Sequence, residues 1–335
     1  MRNSRDIVTI LFIALPWTLL VTVWHWSTVN FPLTPREGKL ENEETETSVL
    51  YSRSSSQDTS AVNKMCCPQS GGINYTDSRP PPWSNILPMI FVITPTYARP
   101  VQKAELTRLA NTLLHMSNLH WILVEDSERK TPLVSGFLQR TGLNYTHLNV
   151  QTPKEYKFPA NRGVPHGTLQ RNLALQWLRD TFSTGASQSG VVYFADDDNA
   201  YSLELFDEIR TTKTVSVWPV AFVGGLRYEA PKVNALGRVY GWKALYAPER
   251  PFCIDMAGFA VNLHLILSKP QANFQLYGVK TGYQESSLLT GLVTLDELEP
   301  KAANCTKILA WHTRTEAPQM LKEDKDRFTD HEMEI

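Results

Sequence analysis

The stretch that decides the fold reads GVVYFADDDN and occupies residues 190–199. Its apolar part, residues 191–195, has the short length and the β-branched and aromatic content of a strand buried in a sheet that is covered on both faces. Three consecutive carboxylates, Asp196, Asp197 and Asp198, follow at the carboxyl end of that strand. Open α/β sheets bind their ligands outside the carboxyl ends of such strands. The stretch therefore predicts an α/β fold whose sheet has an acidic ligand-binding edge.

Three adjacent aspartates repel one another at neutral pH unless a cation, an arginine or lysine, or solvent compensates their charge. One interpretation is a site for a hard divalent cation such as Mg²⁺ or Mn²⁺, which is commonly held by one or two carboxylates together with substrate phosphates. The other is a solvated acidic turn, or a cluster that caps a helix starting near Leu203. The triplet taken alone leaves both interpretations open.

The chain has 335 residues, is 42% hydrophobic and 20% charged, and carries a net charge of −1. These values fit one large or two small globular domains and predict no nucleic-acid partner.

Residues 7–26 contain no Asp, Glu, Lys or Arg, and at a rise of ~1.5 Å per residue they are long enough to span a bilayer core of about 30 Å. Arg2 and Arg5 precede this segment, which predicts a cytoplasmic tail over residues 1–6 and a type II membrane anchor. A cleaved signal peptide is the alternative, but no small-residue cleavage site follows the apolar run.

Residues 27–82 are rich in Ser, Thr and Glu and end in three consecutive prolines, which predicts a largely disordered lumenal stem. Within it, Cys66 and Cys67 are better placed for bonds between chains than for an internal framework, whereas Cys253 and Cys305 belong to the globular part. Acceptor patterns for N-glycosylation agree with a secretory lumen, although the pattern is short. They begin at Asn74, Asn144 and Asn304.

Residues 83–335 form the predicted globular domain, and strand and helix alternate along its first half. Strands are predicted over 89–94, 121–124, 146–150 and from Val191, and helices over 102–116, 132–140 and 169–182. This alternation predicts right-handed crossovers and a mainly parallel, Rossmann-like sheet. The ligand-binding edge of that sheet would be formed by residues 94–97, 125–126 and 196–198. No glycine-rich loop follows the first strand, so a bound phosphate would be met by a metal and by arginines.

After Phe206 the pattern changes to shorter, strand-like segments with many aromatic residues and loops. These segments are residues 215–220, 222–223, 239–242 and 259–267. We interpret them as a second half that packs on the first within one continuous domain.

Several motifs outside the triplet resemble those of the β-1,3-glucuronyltransferases, Golgi enzymes that use UDP-glucuronic acid. They are TPTY at 94–97, VED at 124–126, AFVGGLRYE at 221–229, DMAGFA at 255–260, GYQESS at 282–287 and WHTR at 311–314. The similarity extends over nearly everything from Pro80 onward. Residues 14–20 of the predicted anchor are most similar to the branch that makes the glucuronylated precursor of the HNK-1 carbohydrate epitope.

This resemblance implies a GT-A fold, with a Rossmann-like nucleotide-binding half and an acceptor-binding half, Mn²⁺ dependence and inversion at the transferred sugar. It assigns the uridine side of UDP-glucuronic acid to Pro95, Thr96, Tyr97 and Asp126. It assigns the rest of the donor to Arg171, Asp196, Asp197, His312, Thr313 and Arg314, and the metal to Asp198. Residue types agree with these roles, because a tyrosine ring can stack on uracil and guanidinium groups match phosphate oxygens.

One motif departs from the family pattern. A Pro-Arg-Gly sequence of the family is Pro165-His166-Gly167 in this chain. A diphosphate-facing arginine is therefore replaced, and either His166 or the neighbouring Arg162 would take over its contact.

Glu285 is the residue on which the predicted mechanism depends. Its position before an apolar stretch, taken alone, is typical of a charge at a helix N-terminus. A sugar hydroxyl is a poor nucleophile, however, and inversion by direct displacement requires a base that takes its proton. The resemblance assigns that catalytic role to Glu285. It assigns the acceptor galactose to Glu229, Trp242, Tyr246, Arg250 and Asp255.

The resemblance thus predicts a single-pass type II Golgi membrane enzyme, with a lumenal catalytic domain and a homodimeric state. It would transfer glucuronic acid to O3 of a terminal β-galactose on glycoprotein glycans. Two alternatives stay open at this point. One is the same transfer onto the Gal-Gal-Xyl linker of proteoglycans, and the other is an inactive sugar-binding membrane protein that keeps the aspartates for Ca²⁺.

Overall fold

The computed structural model describes residues 79–157, 166–182, 189–276 and 282–319. The chain divides into two units, Met1–Gly71 and Gly72–Ile335, and every described residue belongs to the second. The predicted cytoplasmic tail, the anchor and most of the stem lie outside the described residues. No helix within the described ranges is long and apolar enough to cross a membrane. The anchor over residues 7–26 therefore stays a prediction.

Strands and helices alternate along the described chain. The strands are β1 Met89–Thr96, β2 Leu119–Glu125, β3 Tyr145–Asn149, β4 Gly190–Phe194, β5 Ala200–Tyr201, β6 Val215–Val217, β7 Val220–Ala221, β8 Tyr228–Val233, β9 Val239–Lys243, β10 Phe259–Asn262, β11 Leu298–Pro300 and β12 Ala310–Trp311. The helices are α1 Gln102–Leu113, α2 Pro132–Thr141, α3 Lys154–Lys157, α4 Thr168–Thr181, α5 Leu203–Ile209, α6 Leu263–Ser268, α7 Gln284–Leu289 and α8 Ala302–Cys305, with 3₁₀ turns at Met256–Gly258 and Leu295–Glu297.

The larger sheet has seven strands in the order β11-β6-β10-β4-β1-β2-β3. Strands β4, β1, β2 and β3 are parallel neighbours, and β11 is parallel to β6. Only β10 runs antiparallel to both of its neighbours in this sheet. The predicted α/β class with a mainly parallel sheet is therefore confirmed, and the parallel order brings the carboxyl ends of β1, β2 and β4 to one edge.

Strand β4 is buried on both faces, as its composition predicted. Tyr193 and Ala195 belong to the core on one side of the sheet, and Val192 and Phe194 to the core on the other. Period-two alternation places successive side chains on opposite faces, so every residue of the strand is packed. The strand is thereby fixed from both sides, and the position of the acidic segment after it is fixed too.

A second sheet of five strands follows the order β5-β12-β7-β8-β9. It contains the C-terminal strand β12, which is antiparallel to β5 and parallel to β7. Strands β5 and β12 belong to the chain segments next to the acidic triplet and to His312. This sheet therefore brings the WHTR motif, residues 311–314, to the edge where β4 ends.

Several predicted boundaries in the second half are wrong. Residues 259–267 were predicted as one extended segment, but β10 ends at Asn262 and helix α6 begins at Leu263. The side chain of Asn262 accepts a hydrogen bond from the backbone N of His264, at 2.9 Å, and so caps the helix. Asparagine at a helix N-cap satisfies an otherwise unpaired donor, and this cap ends the strand.

Residues 215–220 are divided between β6 and β7, and residues 222–223 are not a strand. Phe222 has a φ of 62°, in the left-handed region, and its N donates to Arg227 O at 2.9 Å in a tight turn. Strand β8 was not predicted, and it contains Pro231, a residue type that cannot donate to a ladder and is uncommon inside strands. In the structure Pro231 pairs in register with Trp242 of β9.

The described cysteines, Cys253 and Cys305, are both free thiols. Cys66, Cys67 and the first glycosylation pattern lie outside the described residues. The acceptor asparagines of the other two patterns, Asn144 and Asn304, are exposed. Glycosylation at these positions stays a prediction.

Removal of the Phe194 side chain should test how far the fold depends on β4. Phe194 is 0% exposed, and its ring centroid lies 5.6 Å from that of Phe259 and 5.1 Å from that of Phe274. We expect Phe194→Ala to lower the free energy of unfolding by about 3–5 kcal/mol, because it leaves a cavity that a packed core fills poorly. Urea unfolding measures the change. Leu236→Ala is the control, since Leu236 is 83% exposed and its loss should cost less than about 0.5 kcal/mol. Equal unfolding midpoints for the two variants would contradict the expectation.

Candidate active site

The carboxyl end of β4 is the acidic centre of the site. The three aspartates that follow it each meet an arginine from a different part of the chain. The contacts are Arg171 Nη2 to Asp196 Oδ1 at 2.5 Å, Arg99 Nη2 to Asp197 Oδ1 at 2.7 Å, and Arg108 Nη2 to the backbone O of Asp198 at 2.8 Å. These arginines offset the repulsion expected among adjacent carboxylates. The triplet does not cap α5, because Ser202 is the N-cap residue of that helix.

Asp197 is the most buried of the three aspartates, at 5% exposure. Besides Arg99, it accepts a hydrogen bond from Thr96 Oγ1 at 2.7 Å. Burial nevertheless raises the pKa of the Asp197 carboxyl to about 6, because desolvation of the charged form outweighs the stabilisation by Arg99 and Thr96. Thr96, predicted on the uridine side, is therefore a buried support of the acidic segment.

Asp198 has a partly exposed carboxylate, and its backbone is firmly held. Its backbone O accepts from Arg108 and, at 2.6 Å, from Thr313 Oγ1. Burial and the neighbouring Asp196 raise the pKa of the Asp198 carboxyl. In the described part of the chain, no three His, Cys, Asp or Glu side chains are grouped so that they could hold a metal ion. A metal at Asp198 would therefore need most of its ligands from a bound molecule and from water.

On the predicted uridine side of the edge, one residue is exposed and others are bonded within the protein. Tyr97 is 57% exposed at the end of β1, while Asp126 accepts from the backbone N of Thr152 at 2.7 Å. Glu125 was predicted at the same edge, and this is wrong for its side chain. Its buried carboxylate accepts from Thr131 N and Oγ1, at 2.8 and 2.7 Å, and lies 2.7 Å from His147 Nε2. Glu125 thus ties α2 to β3 instead of facing a ligand.

Arg99 and Arg108 were not among the predicted site residues. Arg99 lies in the loop after β1, where it contacts Asp197 and stacks near Tyr97, and Arg108 lies on α1. An arginine in a loop or on a helix is usually a surface charge, and no motif marked either residue. The only signal was the position of Arg99 two residues after the end of the TPTY motif. That signal becomes informative only once the sheet places Asp197 opposite.

Arg171 is positioned by the start of α4. Gly167 is its N-cap residue with a φ of 77°, and a Cβ there would lie 2.6 Å from Arg171 Nη1. The absence of a side chain at Gly167 therefore lets the guanidinium cross back to Asp196. Arg171 Nη1 also donates to the backbone O of His166 at 3.0 Å. The His166 side chain is exposed, and Arg162 lies outside the described residues, so the choice between them stays a prediction.

The WHTR motif reaches the acidic centre from β12. His312 N donates to Ala221 O at 3.0 Å, and Thr313 N donates to Asn199 Oδ1 at 3.2 Å. These bonds place His312 and Thr313 beside the acidic segment, with Arg314 exposed at its rim. The Nδ1 atom of His312 lies 3.3 Å from Asp255 Oδ2. The nearby Asp255 carboxylate raises the pKa of the His312 ring although burial opposes it.

The predicted acceptor residues surround a second cluster of charge. Buried Glu229 lies 3.7 Å from Arg250 Nη2, and Arg250 Nη1 donates to Gly282 O at 2.8 Å. Burial raises the pKa of the Glu229 carboxyl. Asp255 Oδ1 accepts from Ala257 N at 3.0 Å. The charge of this carboxylate raises the pKa of Glu229 on the predicted acceptor side and that of His312 on the predicted donor side.

Two aromatic residues complete the predicted acceptor wall. Trp242 is held by its Nε1, which donates to Pro251 O at 3.2 Å, and Tyr246 is exposed. The Tyr246 ring lies against Gly282, which has a φ of 82°. A Cβ at Gly282 would lie 2.5 Å from Tyr246 Cε1. The aromatic wall and the loop that leads into α7 are therefore in direct contact.

Glu285 lies in the first turn of α7, as its sequence position predicted. Neighbouring side chains fix this helix, because Gln284 Nε2 donates to Thr168 Oγ1 and Ser286 Oγ donates to Phe252 O at 3.0 Å. The Oε2 atom of Glu285 is buried and receives no hydrogen bond from the described residues. Burial, and after it the nearby charge of Asp255, raises the pKa of the Glu285 carboxyl to about 8. A carboxylate with a raised pKa and a free oxygen is suited to accept a proton.

Replacement of Asp255 by asparagine tests the link between the two clusters. We expect the pKa of His312 to fall in Asp255→Asn, because the Asp255 carboxylate is the largest cause of its raised value. Proton NMR titration of the His312 ring measures the shift. Asp180→Asn is the control, since Asp180 is an exposed carboxylate whose bond is to Gln176 within α4. An unchanged His312 pKa in Asp255→Asn would contradict the assignment.

Comparison with known proteins identifies the family of the chain. The sequence profile of Glycosyltransferase family 43 matches residues 109–316. The chain is 59% identical over 340 residues to Galactosylgalactosylxylosylprotein 3-beta-glucuronosyltransferase 1 of Homo sapiens, with 100% of both chains covered. It is 56% identical over 249 residues to Galactosylgalactosylxylosylprotein 3-beta-glucuronosyltransferase 2 of Canis lupus familiaris, with 74% of each covered. Among solved structures, S. aureus TarS 1–349 aligns over 67% of this chain and 60% of that chain at 15% identity with a TM-score of 0.42, which is too distant to support a conclusion. The chain therefore belongs to Glycosyltransferase family 43 and, within it, to the β-1,3-glucuronosyltransferases.

Proposed function

We propose that this glycosyltransferase transfers glucuronic acid from UDP-glucuronic acid to O3 of a terminal β-galactose on glycoprotein glycans, with inversion at the anomeric carbon. The observation that carries the proposal is the state of Glu285. Its Oε2 atom is enclosed without a hydrogen-bond partner, and its pKa is raised to about 8 by burial. An inactive sugar-binding protein would have no use for a carboxylate kept in that state.

The donor would occupy the edge formed by the ends of β1 and β4. The exposed ring of Tyr97 offers a stacking surface for uracil. The diphosphate would be met by Arg171, by His312 and by the exposed Arg314. Because Asp255 raises the pKa of His312, a larger fraction of this imidazole is cationic near neutral pH than in an isolated histidine.

The acidic segment fits a hard divalent cation, for which we propose Mn²⁺. The carboxylate of Asp198 takes no hydrogen bond from a described residue, while its backbone O is fixed by Arg108 and Thr313. One carboxylate with few protein neighbours is the usual setting of a cation that also binds substrate phosphates. When bound, the cation would supply Lewis-acid stabilisation of the departing phosphate.

The acceptor would lie between the aromatic wall and Glu285. Glu229, Arg250 and Asp255 offer hydrogen-bonding groups for a galactose, and Trp242 and Tyr246 offer an apolar surface for its ring. The O3 hydroxyl would lose its proton to Glu285 as O3 forms a bond to the anomeric carbon. The bond from that carbon to the UDP oxygen breaks in the same step, and UDP carries away the negative charge.

The acceptor could also be the Gal-Gal-Xyl linker of proteoglycans, because that transfer needs the same chemistry. Both relatives compared above carry a name that refers to galactosylgalactosylxylosylprotein. A UDP-release assay with an asialo-glycoprotein and with digalactosyl-xylose as acceptors separates the alternatives. Preference for the asialo-glycoprotein supports the proposal, preference for digalactosyl-xylose supports the linker reaction, and no release with either supports the inactive protein.

We further propose that residues 7–26 anchor the chain as a type II protein in the Golgi membrane, where the lumenal domain works as a homodimer. The uncharged apolar segment after Arg2 and Arg5 supports the anchor. Protease protection of the C-terminal domain in intact Golgi vesicles tests the topology. Cross-linking of the membrane-bound chain tests the homodimer.

Replacement of Asp198 by asparagine tests the metal assignment. We expect Asp198→Asn to abolish Mn²⁺-dependent binding of UDP and to keep the fold, because the variant lacks one anionic ligand of the cation. Calorimetric titration with UDP, with and without Mn²⁺, measures the loss, and thermal unfolding checks the fold. Asp207→Asn is the control, since Asp207 is an exposed carboxylate on α5. Wild-type Mn²⁺-dependent affinity in Asp198→Asn would refute the assignment.

The role of Glu285 predicts both a mutational effect and a pH dependence. We expect Glu285→Gln to lower transfer by about 10²-fold or more with nearly unchanged UDP affinity, because an amide keeps the shape but cannot take a proton. In the wild type the base must be ionised, and its pKa is about 8. The rate at low donor and acceptor concentrations should therefore rise with pH from 6, reach half of its maximum near pH 8 and level off above about pH 9. Initial rates across this pH range provide the measurement. A flat wild-type profile, or a variant within a few fold of wild type, would rule out Glu285 as the base.

A further inference from the structure

Arg99, which belongs to none of the recognised motifs, makes hydrogen bonds, ion pairs and an aromatic contact. Its Nε donates to Glu105 Oε2 at 2.8 Å, and its Nη2 bonds to the same oxygen and lies 2.7 Å from Asp197 Oδ1. Its Nη1 donates to the backbone O of Tyr97 at 3.1 Å. The guanidinium carbon then lies 4.5 Å from the centroid of the Tyr97 ring. One planar group therefore contacts two carboxylates, a carbonyl and an aromatic ring.

The two carboxylates fix the orientation of this guanidinium. Glu105 is 2% exposed, and a buried carboxylate is strongly unfavourable unless it is paired. Asp197 is buried as well, and its Oδ1 contacts the same Nη2 atom of Arg99 that bonds to Glu105. A planar guanidinium that is bonded to two carboxylates cannot rotate freely, so the position of its central carbon is also set. That carbon lies over the Tyr97 ring.

Tyr97 has few other constraints. Its ring is exposed, and its hydroxyl receives no hydrogen bond from any residue in the described ranges. The rotamer of an exposed tyrosine is normally mobile, and ordering a side chain costs conformational entropy. Contact with a fixed cation above the ring lowers that cost before a ligand arrives.

We propose that Arg99 is a positioning residue, which holds the Tyr97 ring as a preformed stacking surface for the base of the donor nucleotide. The proposal rests on the proposed function, since it takes the donor to be a uridine nucleotide bound at Tyr97. Arginine suits this role better than lysine, because its flat, weakly hydrated group stacks on a ring while its edges pair with carboxylates. Arg99 acts through Tyr97 and does not itself touch the reacting atoms.

A positioning role for Arg99 predicts different effects on base binding and on phosphate binding, whereas a general role in the fold would affect both. Binding of the base should depend on Arg99, while binding of phosphates should not. The test therefore compares the affinity of the full-length protein for UDP with its affinity for inorganic pyrophosphate, both with Mn²⁺. Calorimetry measures both affinities in wild type, Arg99→Gln, Arg99→Lys, Tyr97→Ala and the double variant Arg99→Gln/Tyr97→Ala.

We expect Arg99→Gln and Arg99→Lys each to weaken UDP binding by about threefold to tenfold, in line with the usual strength of a cation–ring contact. Pyrophosphate affinity should stay unchanged in Arg99→Lys, which keeps the positive charge beside Asp197. The double variant should bind UDP no more weakly than Tyr97→Ala, because both changes remove the same contribution. Arg99→Lys keeps a charge beside Glu105 and Asp197, so it tests the proposal even if Arg99→Gln does not fold. Lys243→Gln is the matched control, because Lys243 lies 3.3 Å from the centroid of the Tyr228 ring in the second sheet, and its UDP affinity should equal that of wild type.

Three outcomes would overturn the inference. They are wild-type UDP affinity in Arg99→Lys, equal losses for UDP and pyrophosphate in Arg99→Lys, and additive losses in the double variant. Failure of the proposed function is a different result. If Tyr97→Ala itself binds UDP like wild type, the nucleotide does not stack on Tyr97, and the donor assignment fails together with the inference.

Discussion

Three carboxylates at the end of one buried strand can stay ionised together only if positive charge lies beside them. In this protein the strand is β4, and the charge comes from Arg99, Arg108 and Arg171. Arg99 and Arg108 belong to the loop after β1 and to α1, which follow each other in the chain, whereas Arg171 belongs to the distant helix α4. The parallel sheet is what brings them to one edge. The fold and the charge balance of the site are thus two aspects of the same constraint.

The arginines compensate the negative charge of the site only in part, and this affects how the site responds to a ligand. Asp197 keeps a pKa of about 6 although Arg99 lies beside it, and Glu285 has a pKa of about 8. In both cases the desolvation of the ionised carboxylate outweighs its stabilisation by neighbouring charges and hydrogen bonds. A bound cation or an ordered diphosphate contact would change this balance locally. Binding of the proposed ligands would therefore change the ionisation of these carboxylates. Asp255, which lies 3.3 Å from His312, makes the ionisation of that histidine part of the same response.

Much of the first half could be predicted from the sequence, since period, composition and turn residues decide buried parallel strands and amphipathic helices. The prediction was weaker where one side chain changes the local structure. Asn262 ends a strand by capping a helix, and Pro231 sits inside a strand that its sequence argues against. Glu125 was expected at the ligand edge but turns inward, because His147 lies on the adjacent strand. Such partners depend on register between strands, which a single sequence does not display.

The contact between Gly282 and Tyr246 links the choice of acceptor to the rate of turnover. Tyr246 belongs to the proposed acceptor wall, and the loop that contains Gly282 leads directly into the helix that carries Glu285. A bulkier or differently shaped ring at position 246 would press on that loop, because no side chain lies between them to absorb the change. Selection for a new acceptor glycan would therefore act on turnover as well. Divergence of substrate choice in this fold should proceed by coupled changes at the wall and at the loop.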